Sequence, residues 1–229
     1  MDNKGLVEHC KMALSQRWGY VWSSFGRLLD EDQFNRLYKQ YPREVGRYYD
    51  HIRTNWLNRR CADCVGLIKS YLWWSGGSIR YNGSQDTTAD GMYHMARRKG
   101  PISTLPEVPG LALWRPGHIG VYIGNGQVIE ARGTIKGVIQ SPLRGPGAVE
   151  WTHWLEVPFI SYGGTEKPKG PTTIKVSVGG KTKLLPGINL QGKTYLVVDG
   201  KQVPLRATLE AVGLKVDWDQ ATQTVIVDG

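Results

Sequence analysis

Arg60-Cys61-Ala62-Asp63-Cys64-Val65-Gly66-Leu67 is the stretch from which the fold is read. Val65, Leu67, Ile68, Leu72 and Trp73 predict an apolar helix beginning near Asp63, with Asp63 as its N-cap and Cys64 in its first turn. Unpaired N–H groups and the helix dipole at such a position favour a thiolate, the nucleophilic form of cysteine. The same N–H groups can receive a developing oxyanion.

Cys61 and Cys64 also form a C-x-x-C pair, which admits other readings. A structural zinc site needs a second ligand pair at similar spacing, and the five histidines are scattered singly. A thioredoxin-like site needs a βαβ context, whereas a polar helical stretch precedes this motif. Two half-buried thiols packed as small hydrophobes is the commoner fate of cysteine. The partner of Cys64 therefore decides.

That partner is sought in Arg115-Pro116-Gly117-His118-Ile119-Gly120-Val121-Tyr122-Ile123-Gly124-Asn125-Gly126-Gln127-Val128-Ile129-Glu130-Ala131, which reads as a β-hairpin. Ile119, Val121 and Ile123 share one face, leaving His118, Gly120 and Tyr122 on the other. Ile129 and Ala131 read as buried, so Glu130 turns away from the core as His118 does. A two-residue Asn125-Gly126 turn pairs 121 with 130 and sets His118 and Glu130 on opposite faces. A three-residue Gly124-Asn125-Gly126 loop with Gly126 left-handed pairs 120 with 130 and 118 with 132. The second register makes His118 and Glu130 diagonal neighbours, about 7–8 Å apart at the backbone. A carboxylate there orients the imidazole and supports its charged form. A surface His and Glu on a solvated strand face is the plain alternative.

Around these blocks the chain reads as mixed α and β. A helix is expected over roughly 5–17, with Leu6, Cys10, Ala13 and Leu14 on one face; Cys10 is expected buried and His9 exposed. A polar Tyr/Arg-rich helical stretch follows from about 30 to 60. Thr88 reads as the N-cap of a helix that stops at Lys99-Gly100-Pro101, with Arg97-Arg98-Lys99 complementing its C-terminal dipole. Strands are expected at Leu111–Trp114, His118–Ile123 and Val128–Ala131. His51, His94 and His153 read as surface or packing residues, and Trp151 and Trp154 as either groove-lining or core. The run Gly163-Gly164-Thr165-Glu166-Lys167-Pro168-Lys169-Gly170-Pro171 suits a linker, dividing the chain into 1–164, 165–171 and 172–229. Downstream, Ile174, Val176 and Val178 alternate before Gly179-Gly180, a hairpin signal. Leu205, Leu209 and Val212 mark a short helix closed by Gly213. Val216 to Trp218 is expected to pair with Val225 to Val227 across Asp219-Gln220-Ala221-Thr222.

In 229 residues, 40% hydrophobic and 21% charged content excludes wholesale disorder. A net charge of +9 favours anionic partners without choosing among them. The basic residues are dispersed and no recognition motif appears, so nucleic acid is not expected. Three cysteines cannot build a disulfide framework. No apolar segment of signal-peptide type opens the chain, and none approaches the 18 residues of a membrane helix. The expectation is a chain made in the cytoplasm, without membrane insertion, that reaches any extracellular target by another route.

Asp63-Cys64-Val65-Gly66-Leu67, His118-Ile119-Gly120-Val121-Tyr122-Ile123-Gly124-Asn125-Gly126 and Ile129-Glu130-Ala131 together resemble the NlpC-type cell-wall peptidases, over roughly residues 5–162. The resemblance implies an α+β fold with a papain-like core, in which a helix-borne cysteine packs on an antiparallel sheet. It implies Cys64 as nucleophile, His118 as general base and Glu130 at the third, His-orienting position. Tyr20, in Gly19-Tyr20-Val21-Trp22, resembles the family tyrosine beside the oxyanion site; Asp63 and Trp114 are grouped with it on the oxyanion and substrate side. The chain departs from the pattern at Val65, where serine is common, at Glu130, where histidine or another polar residue is usual, and in an insertion from Phe25 to Arg59. The insertion and Trp151-Thr152-His153-Trp154 resemble phage-encoded lytic enzymes. Residues 171–229 more loosely resemble the small repeat named after the N-terminus of copper amine oxidases; the segment has no His or Cys, so no copper is expected.

The implied activity is hydrolysis of an amide bond in the stem peptide of peptidoglycan, without metal or cofactor, with peptidoglycan and anionic wall polymers as partners. Two alternatives stay open: an N-acetylmuramoyl-L-alanine amidase using the same Cys/His pair, and a non-catalytic wall-binding phage structural protein.

Overall fold

The computed structural model describes residues 1–162, 172–178, 181–190, 193–198, 201–219 and 224–228. The chain forms two compact units, Met1–Tyr162 and Gly163–Gly229. Both mix helix and sheet, the α+β class expected from the sequence.

In the first unit, α1 (Asn3–Ser15) starts where the Asp2 carboxylate accepts the Gly5 N–H at 2.7 Å. It buries Leu6, Val7, Cys10 and Ala13. His9 is buried too, against expectation. Its Nε2 lies 2.7 Å from Ser70 Oγ, and Trp18, Tyr71 and Trp74 surround its ring.

The segment after α1 is not one long helix. β1 (Phe25–Leu28) is followed by α2 (Glu31–Gln40), which Asp30 caps at 2.8 Å to the Gln33 N–H, with Glu31 and Asp32 in its first turn. Pro42 lies just beyond that helix, and the next one, α3 (Tyr49–Asn55), begins only after a short 3-10 turn. The chain returns through β2 (Arg60–Ala62), which pairs antiparallel with β1. This insertion has its own core of Val21, Leu29, Phe34, Leu37, Val45, Ile52 and Cys61. Each large apolar side chain buried there contributes about 1.5–3 kcal/mol before the entropy of ordering it is charged.

α4 (Cys64–Leu72) begins directly after β2. A small hairpin, β3 (Trp74–Ser75) and β4 (Ser78–Ile79), leads to α5 (Ala89–Met95). Thr88 caps α5 as expected, accepting the Gly91 N–H at 3.0 Å. The helix stops earlier than expected, and Lys99 donates to the Tyr93 and His94 carbonyls at 2.7 and 3.3 Å. Lys99 itself begins β5 (Lys99–Pro101).

The central sheet then assembles from β6 (Ala112–Arg115), β7 (His118–Gly124), β8 (Gln127–Ala131), β9 (Val138–Pro142) and β10 (His153–Leu155), in the order β5-β10-β6-β7-β8-β9 with every pairing antiparallel. On one face Ile119, Val121, Ile129 and Ala131 pack with Leu6, Cys10, Cys64, Leu67 and Ile68 of α1 and α4. The other face is not solvated, as the plain alternative required. Leu111, Leu113, Tyr122, Val128, Trp151, Trp154 and Tyr162 cover it with a second core.

In the second unit, β11 (Thr172–Val178), β12 (Lys181–Leu190), β13 (Lys193–Val198), β14 (Lys201–Pro204), β15 (Lys215–Asp219) and β16 (Thr224–Asp228) form a sheet in the order β14-β13-β12-β11-β16-β15. β11 and β12 pair as the expected hairpin, Val178 opposite Lys181, and Val216 lies opposite Val227. α6 (Leu205–Glu210) is the expected short helix; Leu205 is buried, but Val212 lies past its end and is 71% exposed. The segment 163–171, Gly179-Gly180 and the turn residues 220–222 lie outside the described residues.

Candidate active site

Asp63 caps α4 with both carboxylate oxygens. One accepts the Gly66 N–H at 2.6 Å and the other the Ser23 N–H at 2.9 Å. Asp63 therefore ties the helix start to the 21–24 loop, and its oxygens are committed to the scaffold. Gly66 is glycine because that loop lies against the helix: a Cβ there would meet the Ser24 carbonyl oxygen at 2.0 Å.

Cys64 and Cys61 are separated by this geometry. Cys61 belongs to the core of the insertion, where burial pushes its thiol up to about 12. Cys64 belongs to the main core, and its sulfur lies 4.0 Å from the Gly117 carbonyl oxygen at the foot of β7. Cys61 and Cys64 thus lie in different cores, and all three cysteines are free thiols. Among the described residues no group of three or more His, Cys, Asp or Glu side chains could hold a metal.

Burial, then the neighbouring Asp63 charge, pushes the Cys64 thiol up to about 12, while the N–H groups of Ile119, Val65 and Cys64 itself pull it down. Burial thus opposes ionisation of this sulfur, and the N–H groups at the helix start favour it. His118 follows Gly117 directly at the start of β7. Its Nε2 lies 2.7 Å from Glu130 Oε2.

Glu130 is fully buried, and burial alone would push its carboxyl up. Hydrogen bonds from His118 and Ser141, with the charges of His118 and Arg132, outweigh that and hold it below the usual carboxylate range. An ionised carboxylate only accepts hydrogen bonds, so Nε2 carries the proton and Nδ1 is the lone-pair nitrogen of neutral His118. The ring is thus set with Nδ1 as its basic atom.

The hairpin reaches the useful register by a different turn from the one expected. Asn125 and Gly126 form a two-residue turn, both with positive φ, and Gly124 pairs with Gln127. A bulge between Tyr122 and Gly124 then shifts the register by one, so that Tyr122 faces Val128 and Val121 faces Ile129. Gly120 leaves the room this face needs. A Cβ there would lie 3.0 Å from Trp151, 3.1 Å from Glu130 Cβ and 3.1 Å from Val128. Trp151 fills that space and stacks on the His118 imidazole, ring centroids 5.3 Å apart.

Tyr20 is half-buried beside Cys64. Burial first, then the charges of Cys64, Asp63 and Tyr48, pushes its hydroxyl up. Trp114 stacks on Tyr93 at 3.9 Å, and its Nε1 donates to Asp90 at 2.9 Å. The same Asp90 oxygen accepts the Gly117 N–H at 2.8 Å, fixing the turn that carries the Gly117 carbonyl to Cys64. Sequence reasoning passed over Ser141, Arg132 and Asp90 as site residues and left Trp151 open between groove and core. For Ser141 the available signal was register, since its strand was not anticipated.

No family model matches this chain, and no curated protein matches it. The chain is similar in structure to the peptidoglycan hydrolase RipB of Mycobacterium tuberculosis, with 21% identity over 70% of this chain and 67% of that one, at a TM-score of 0.38. It is likewise similar to the P60 domain of an antigen of M. avium subspecies paratuberculosis, with 21% identity over 70% of this chain and 98% of that one, at a TM-score of 0.37. The NlpC/p60 domain of the peptidoglycan hydrolase SagA matches with 14% identity over 69% of this chain and all of that one, at a TM-score of 0.39.

Proposed function

We propose that the chain is an NlpC-type cysteine hydrolase that cleaves an amide bond in the stem peptide of peptidoglycan. The observation that carries this reading is the placement of Cys64 at the start of α4, its sulfur against Gly117, with the adjacent His118 bonded through Nε2 to a buried carboxylate at 2.7 Å. In this reading Nδ1 of His118 takes the thiol proton as the sulfur attacks the amide carbonyl. The N–H groups at the start of α4, with Tyr20 beside them, receive the developing oxyanion. The tetrahedral intermediate collapses as imidazolium protonates the leaving amine, leaving an acyl-enzyme. Water, activated by the same nitrogen, then releases the acid and restores the thiol.

The pattern resemblance supports a lytic enzyme of phage type, and the segment 172–229 is proposed to anchor it to the wall. Its route to the wall is proposed to be release from the cytoplasm or carriage in a phage particle. Mass spectrometry of muropeptides released from defined cell walls tests the whole. New amino and carboxyl termini within the stem peptide are expected, absent with Cys64→Ala. Release of intact stem peptides from muramic acid would assign the amidase reaction instead. Wall binding without any cleavage would assign a structural role.

A further inference from the structure

Strand β9 contributes a residue that the reaction just proposed does not name. Ser141 lies opposite Val128, two residues from Glu130 along β8, so the two side chains are diagonal neighbours on one face. Both are buried, at 4% and 0% exposure. Ser141 Oγ donates to Glu130 Oε1 at 2.5 Å, while His118 occupies Oε2 on the opposite side. Arg132 Nη1 stands 3.7 Å from Oε1 and donates to the Gly147 carbonyl, while Nη2 donates to the Ala148 carbonyl.

We propose that Ser141 is a positioning residue for the reaction: by fixing the Glu130 carboxylate it fixes which way the His118 imidazole faces Cys64. This rests on the hydrolase reading above. The terminal torsion of glutamate is broad and intrinsically loose. Held only by His118, the carboxylate and the imidazole can turn together, and the ring orientation that the proposed reaction needs is lost. Held at both oxygens, the carboxylate has one orientation, accepting from His118 on β7 and from Ser141 on β9. Arg132 backs the same oxygen by charge alone, since 3.7 Å is beyond hydrogen-bond range.

Valine and threonine have nearly the same shape, so comparing Ser141→Val with Ser141→Thr isolates the hydroxyl from the added methyl. Two readouts on the full chain separate the questions: steady-state cleavage of a soluble muropeptide, and alkylation of Cys64 by iodoacetamide, mapped by mass spectrometry, each followed from acid to alkaline pH. Ser141→Val is expected to lower kcat about tenfold at unchanged KM, the size of one hydrogen bond to a charged group. It should also slow Cys64 alkylation at neutral pH. Ser141→Thr should restore both. Equal behaviour of the two variants, or a fall in melting temperature with kcat and alkylation unchanged, overturns the proposal. If the native chain cleaves no muropeptide, the hydrolase reading falls, and the alkylation profile alone decides on Ser141: no difference between valine and threonine rejects it.

Discussion

Trp151 and His118 lie nearly parallel, their planes 12° apart and their ring centroids 5.3 Å apart. An indole face in this position attracts a charged imidazolium more than a neutral imidazole, by about 0.5–2 kcal/mol. Trp151 thus favours the form of His118 that exists after it has taken the thiol proton. Trp151→Leu is expected to lower kcat about threefold to tenfold and to shift the basic limb of the pH profile down. Trp151→Phe, which keeps an aromatic face, should recover most of the loss. A pH profile unchanged in the leucine variant would leave Trp151 as packing alone.

The three cysteines should separate cleanly. Cys64→Ala is expected to abolish wall cleavage while melting as the native chain does. Cys61→Ala and Cys10→Ala should retain most activity but melt lower, because both thiols are buried in packed cores. Lysis should survive chelators. Sensitivity to EDTA, or a Cys61→Ala variant as inactive as Cys64→Ala, would point to a metal or dithiol site.

Glu130→Gln preserves shape and removes charge. The substitution should lower kcat at least tenfold. The basic limb should move down, since imidazolium loses the carboxylate that favours it. The native carboxyl is held below its ordinary range, so its stabilising contribution is present above that range and is lost as pH falls through the lowered value. Melting curves of Glu130→Gln should accordingly show a weaker loss of stability in acid. An unchanged rate and profile would assign the orientation of His118 to another residue.

His9 provides a second pH signal, far from the chemistry. Burial, then the nearby Arg60 charge, lowers its pKa from 6.5 to about 4. The unfolded chain therefore binds a proton here before the folded one does. Stability from this group is complete above pH 6.5 and is lost as pH falls toward 4, by about 3 kcal/mol in all. Urea unfolding of His9→Gln against the native chain across that window should show the slope reduced. Parallel pH dependences would mean that His9 is not the responsible group.

A fragment ending near Gly164 should fold and keep cleaving soluble muropeptides, since Cys64, His118, Glu130 and Ser141 all lie in the first unit. If 172–229 anchors the enzyme, its removal should slow lysis of whole cells far more than cleavage of small substrates. Light scattering on both proteins distinguishes this from self-association. A folded fragment that has lost soluble-substrate cleavage would reject modular action.

What was legible in the sequence was what local chemistry dictates. Asp63 before an apolar run marks a capped helix, and Asn125-Gly126 between alternating residues marks a hairpin. The useful register followed from requiring Ile129 and Ala131 to be buried, although the bulge that produces it was not foreseen. Elements set by distant partners stayed hidden. Val138–Pro142 is short and ends in proline, and His153–Leu155 has three residues; each becomes a strand only because a neighbour offers it an edge. The position of His9 was readable: it stands three residues after Leu6 and four before Ala13, on the buried stripe of α1. Its polar type suggested solvent, and Ser70 on α4 supplied the hydrogen bond that makes burial tolerable.

The insertion changes in significance once its core is seen to contain Cys61. Two residues separate that thiol from Cys64, and between them Asp63 holds the Ser23 N–H on one side and the Gly66 N–H on the other. The core of the insertion therefore adjoins the start of α4. It cannot be trimmed like a surface loop, because excising it removes the strand β1 that β2 pairs with and loosens the peptide plane entering the nucleophile. A substitution in Val21, Leu29 or Ile52 therefore disturbs the same packed cluster that holds Cys61, at the strand leading into α4.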